Sequence, residues 1–167
     1  AYLVDDRGVV LSESSMEYLY AASKVNLEKN ITLELVCRWS MVGPTLMLKK
    51  NVYEDIGLYN ENILVEDRDF ILRLLAAKKL VFINQPVANY RYHADNSIVA
   101  KRMLLAKDIA ESNIKYSMSF SGLSKFYLIT FKVDSYLLSI KYTNILLLLK
   151  VWNRTRRIVF NLVLSYR

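Results

Sequence analysis

Between residues 66 and 92 a helical pattern runs directly into two strand patterns, and that succession ties the chain to an α/β class. Phe70, Ile71, Leu74 and Leu75 recur at helical spacing and predict a helix over Glu66–Lys78. Its first turn carries Glu66, Asp67 and Asp69, where the helix dipole favours negative charge. Leu80–Ile83 and Val87–Tyr92 read as strands divided by the turn Asn84-Gln85-Pro86. The same region holds Arg73, Arg91 and His93, the chain's single histidine. If helix and strand pack as neighbours, these groups fall within reach of one another.

The remainder is consistent with one domain that has a real core. Only four glycines and two prolines in 167 residues argue against a loop-rich or all-β chain, and 53% hydrophobic residues argue against disorder. Residues 1–11 read as strand, turn and return strand around Asp5-Asp6-Arg7-Gly8, so that acidic pair belongs to a turn rather than a metal site. Residues 14–28 suit a helix capped by Ser14 or Ser15; residues 31–43 are ambiguous. Thr45–Leu48 reads as a short strand, and Lys50–Ile56 as a short helix closed by Gly57. Residues 98–118 suggest a further helix, followed by a break over Ser119–Ser124. Cys37 is the one cysteine, which excludes an internal disulfide and fits a reducing compartment. The opening residues AYLVDD do not resemble a signal peptide, and a start at alanine suggests a processed or excised chain.

Charge is unevenly placed. Residues 1–123 balance 15 basic against 15 acidic side chains, whereas residues 124–167 hold eight basic residues and one acid, Asp134, so the whole excess of +7 sits in the last quarter. The pattern from Lys125 onward is almost continuously helical. On one unbroken helix Lys125, Lys132, Lys150, Arg154 and Arg157 fall within about 60° of arc, with Asp134 and Lys141 opposite. The longest charge-free run there, Tyr142–Leu149, is shorter than the roughly 20 residues a membrane span needs. An anionic membrane surface is one expected partner, met by Lys150, Arg154, Arg156 and Arg157 with Tyr127, Tyr136, Tyr142 and Trp152 as interfacial aromatics. Packing on the same domain or on another copy in a homo-oligomer is the other. Nucleic acid is disfavoured, because the tyrosine and leucine spread suits burial better than base stacking.

The acidic cluster also has two readings: a well-charged helix start, or a cleft carboxylate acting as general base with a neighbour tuning it. His93 reads as structural or, beside Arg91, Asp95 and Ser97, as a ligand to a divalent ion, with Arg91 binding phosphate oxygens. Arg73 reads as a salt-bridging or snorkelling side chain.

The order Gly57-Leu58-Tyr59-Asn60-Glu61, Glu66-Asp67-Arg68-Asp69-Phe70, Arg73-Leu74, Tyr90-Arg91-Tyr92-His93 and Ser97 resembles the second half of family 2 glycosyltransferases, enzymes of the GT-A fold. The resemblance covers residues 40–100 well and residues 1–39 loosely. It implies a partial GT-A-like α/β fragment, few strands plus helices, over residues 1–123, with an α-helical, basic amphipathic extension over 124–167. It implies transfer of a sugar from a nucleotide-sugar donor to a glycan or lipid-linked acceptor in surface polysaccharide or capsule synthesis, by a cytoplasmic protein peripheral at the inner face of the cell membrane. Asp67 matches the proposed base and Glu66 its neighbour. Arg91, Ser97 and Asp69 lie where donor-phosphate contacts occur, and His93 lies near a divalent metal, Mn or Mg. The chain departs from the family in lacking an upstream Asp-x-Asp and the Gln of the processive QxxRW signature, since Arg38-Trp39 stands without it. It is therefore expected to carry the acceptor half and to be inactive alone. The competing expectation is a non-catalytic membrane-association or oligomerisation module.

Overall fold

A computed structural model describes residues 1–39, 41, 43–92, 102–140 and 144–165, with the side chains at 44, 164 and 165 excepted. The chain is mostly helical with a three-stranded mixed sheet. Strand β1 (Tyr2–Val4) lies at the centre, antiparallel to β2 (Val10–Ser12) and parallel to β3 (Asn89–Arg91). The β1–β2 turn forms as expected. The Asp5 carboxylate accepts from the Arg7 and Val9 amides at 2.9 and 2.8 Å, and Gly8 takes φ +83°.

Helix α1 (Ser15–Tyr20) is capped by Ser14, whose hydroxyl accepts from the Glu17 amide. It ends where Ala21 enters the left-handed region at φ 51°. Helix α2 (Lys24–Arg38) begins again on Ser23 and kinks at Asn30, whose side chain caps the second half through the Leu33 amide at 3.0 Å. The ambiguous stretch is thus helical to Arg38 because Asn30 restarts the helix. Helix α3 (Val52–Ile56) closes on Gly57, and α4 (Glu66–Ala76) matches its predicted span within the last turn. Helices α5 (Arg102–Tyr116), α6 (Gly122–Ile129), α7 (Phe131–Ser139) and α8 (Ile145–Ser165) follow.

Two strand expectations fail, and one shortens. Thr45–Leu48 begins with a 3₁₀ turn at Gly43–Thr45 and continues as irregular chain, and Leu80–Ile83 is irregular as well. Strand propensity describes a side chain's fit to a pleated surface, and neither segment has a described ladder to join. Val87–Tyr92 contributes only Asn89–Arg91. The tail is also not one helix: breaks at Thr130 and Ile140 divide it into three, so the single basic arc expected of an unbroken helix does not exist.

The core is built across all these helices. Leu27, Leu35 and Val36 of α2 meet Phe70, Ile71, Leu72 and Leu74 of α4, Ala110 of α5, Tyr127 and Leu128 of α6, Phe131 of α7 and Phe160 of α8. The expected division after residue 123 does not appear as a break in packing, because α5 lies against both α4 and α7 and α6 lies against α2. The tail closes the domain.

Two buried ion pairs lock this arrangement. Glu34, 1% exposed, accepts from the Ser23 amide at 2.8 Å, Asn26 Nδ2 at 3.3 Å and Arg38 Nη1 at 3.2 Å. Arg38 continues to the Ala21 carbonyl and to Asn161 Oδ1, joining the α1–α2 junction to α8. Asp134 of α7 binds Arg156 of α8 at 2.6 Å and accepts from Trp152 Nε1 at 3.1 Å. Arg156 is 5% exposed with its guanidinium 3.6 Å from the Phe131 ring centroid. It is therefore not a membrane-contact residue. Tyr127 and Trp152 are likewise turned inward and are not interfacial aromatics.

Candidate active site

Helix α4 starts without a side-chain cap, so its own acids meet the free amides of its first turn. The Asp67 carboxylate accepts from the Arg68 amide at 2.6 Å. It reaches solvent at the rim of a recess of about 30 Å³ lined by Trp39, Met41, Gly43, Leu46, Tyr59 and Ile71. Crowding by these apolar groups raises its pKa above 3.8; the Arg68 amide pulls it down, Glu66 pushes it up, and the net direction is upward. Burial first, then Tyr90 and Asp67, raise the pKa of the Tyr20 hydroxyl at the end of α1. Burial, followed by Tyr53, Asp67 and Glu66, raises the Tyr59 hydroxyl too.

The neighbouring acid has a different task. Asp67 and Asp69, two residues apart on a helix, point to different sides. Asp69 is 2% exposed and binds Arg73 Nε at 3.0 Å, the Tyr116 hydroxyl at 3.0 Å and Lys115 Nζ at 3.7 Å. It joins α4 to α5 and is not a donor-phosphate contact: its oxygens are spent on internal donors, and a carboxylate repels phosphate. Glu66 is exposed beside Asp67. Arg73 forms the expected salt bridge and adds bonds to the Ile56 carbonyl and, at 2.8 Å, the Leu58 carbonyl. Its Nη1 lies 3.4 Å from where a Cβ on Gly57 would sit, and Gly57 has φ +78°. This clasp sets Tyr59, which stacks on Phe70 at 4.2 Å and 15° beside Asp67.

Arg68 lies beneath the recess. It is 6% exposed, with its guanidinium 4.6 Å from the Trp39 ring centroid and its Nε donating to Asn113 Oδ1 at 2.9 Å. Burial lowers its pKa to about 10, which keeps it cationic at neutral pH and adjacent to Asp67. Tyr20, Trp39, Tyr59 and Arg68 were not singled out as site residues by sequence pattern. The one available signal was Gly57, which fixes where Tyr59 falls.

Arg91 is exposed on β3. His93 and Ser97 lie outside the described residues. Among the described residues no three metal-ligating side chains converge, and Glu66, Asp67 and Asp69 do not form a metal site. Comparison with protein-family models, curated proteins and solved structures finds no match.

Proposed function

We propose that this chain carries the acceptor side of a sugar-transfer site in a GT-A-like glycosyltransferase, with Asp67 as the general base. The observation that carries the reading is a solvent-reachable carboxylate of raised pKa at an aromatic recess. The carboxylate accepts a hydrogen bond from the hydroxyl that is to react, the one group of a sugar that a recess of about 30 Å³ admits. In the transfer, the acceptor O–H proton passes to Asp67 as the oxygen bonds to the anomeric carbon of the donor sugar. The bond from that carbon to the nucleoside diphosphate breaks, and the diphosphate leaves with the electron pair. The raised pKa strengthens the base. Arg91, with Ser97 and His93, is assigned to the charge of the departing diphosphate. Burial keeps the Asp67 proton affinity high, and like-charge repulsion from Glu66 adds a smaller push.

Asp67→Asn in the intact protein is expected to lower kcat by about 10²–10⁴-fold, measured with nucleotide-sugar donors and a hydroxyl acceptor. The wild-type pH profile of kcat/KM is expected to show an acid limb above 3.8. Normal turnover by the variant sinks the assignment.

Stability provides a second check. The folded chain holds the Asp67 proton more tightly than the unfolded chain. The favourable contribution is complete below 3.8 and is lost as pH rises through the raised value. Asparagine cannot ionise, so the variant is expected to have a Tm above wild type at neutral pH and no such advantage near about pH 3.

A further inference from the structure

We infer that α8 docks this protein flat on an anionic membrane surface, through an apolar strip bordered on one side by Lys150, Arg154 and Arg157. The helix has three distinct sectors. Ile145, Leu149, Arg156 and Phe160 are buried and lie within about 60° of arc. Nearly opposite, Leu147, Val151 and Ile158 fall within about 40° and are 60%, 57% and 51% exposed. Leu148 and Val159 widen the strip on one flank, both exposed. Lys150, Arg154 and Arg157, all exposed, border the other flank.

A strip of this kind fits a lipid interface better than a second copy of the chain. Residues 145–165 contain no acidic residue, and among the described residues none of the three cations lies within ion-pair distance of a carboxylate. Self-pairing across this face would therefore set cations near cations, whereas anionic headgroups complement them. From Leu147 to Ile158 the strip runs about 16 Å along the helix, so apolar side chains can enter the acyl boundary while the bordering cations stay at headgroup level. Among the described residues no helix is long and apolar enough to cross a membrane, so α8 lies on the surface. This inference is independent of the role given to Asp67.

The test is sedimentation of the intact protein with vesicles of phosphatidylcholine alone and with about 30 mol % phosphatidylglycerol. Binding is expected only to the anionic vesicles and is expected to weaken as salt is raised. The triple variant Lys150→Gln, Arg154→Gln, Arg157→Gln is expected to bind on the order of 100-fold more weakly, about fivefold per side chain. Val151→Ser with Ile158→Ser is expected to weaken binding with the charge unchanged. All of these positions are exposed, and circular dichroism identifies any variant that has lost its fold. Absence of binding at low salt, equal binding to neutral vesicles, or an unchanged triple variant overturns the inference. So does a concentration-dependent dimer, seen by sedimentation velocity, that Ile158→Asp abolishes, since a second copy would then cover the strip.

Discussion

Arg156→Ala is expected to destabilise the fold by about 3–5 kcal/mol, because it leaves the Asp134 carboxylate buried without its cation. The Trp152 indole at 3.1 Å would then be a neutral donor facing a full negative charge. The guanidinium also covers Phe131, so packing between α7 and α8 is lost with the charge. Urea unfolding followed by the fluorescence of Trp39 and Trp152 together measures the loss; a change below about 1 kcal/mol would show that Asp134 finds water instead. The double variant Asp134→Leu, Arg156→Met is expected to recover most of the loss, since an apolar pair needs no compensation in a dry site. Poor recovery would mean that the pair also selects the angle between α7 and α8.

Phe70→Ala is expected to cost a similar amount, about 3–5 kcal/mol, for a different reason. Phe70 is 0% exposed and its ring touches both Tyr53, at 5.7 Å between centroids, and Tyr59, at 4.2 Å. Arg73 lies 5.2 Å from the same ring while holding the Ile56 and Leu58 carbonyls. Alanine would remove the support under the 56–60 loop as well as opening a cavity. Thermal unfolding reports the stability. The position of Tyr59 is read separately, because a Tyr59 freed from the recess no longer crowds Asp67 and the acid limb of the pH profile moves down. A stability loss without that movement would show that the Arg73 clasp alone holds the loop.

The helix over 66–76 was legible because its apolar residues recur on one face and its acids gather at one end. Asp67 was legible for the same reason, but its surroundings were not. Trp39, Tyr59 and Tyr20 arrive from three separate segments, and local spacing does not report which segments meet. The segments at 45–48 and 80–83 look like strands by side chain, whereas a strand is defined by its partner. In the tail the error lay in phase. Counting 100° per residue from Lys125 through two breaks carries no angular meaning, so the arc it gives to Lys125 and Lys132 of the earlier helices and the cations of α8 is not a shared face. Counted only within Ile145–Ser165, Arg156 falls with Leu149 and Phe160 on the inward face, so its burial was recoverable once the helix start was known. Glu34 has the i,i+4 spacing of a helical ion pair with Arg38, but its burial was not legible, because the Ser23 amide that it caps lies eleven residues away across the kink at Asn30.

The parallel pairing of β1 with β3 has a consequence for the order in which the chain takes shape during synthesis. Tyr2 bonds to Ala88 and Tyr92 bonds to Val4, closing a loop of about 85 residues. A ribosome adding about 5–20 residues per second releases β1 and β2 seconds before their third strand exists, and a lone hairpin of this length is marginal in water. Leu27, Leu35 and Val36 wait longer, since Leu128 and Phe160 of the same core arrive later still. Phe160 follows Val36 by more than 120 residues, so the apolar face of α2 stays incompletely covered for seconds of synthesis, an interval in which holdase chaperones act.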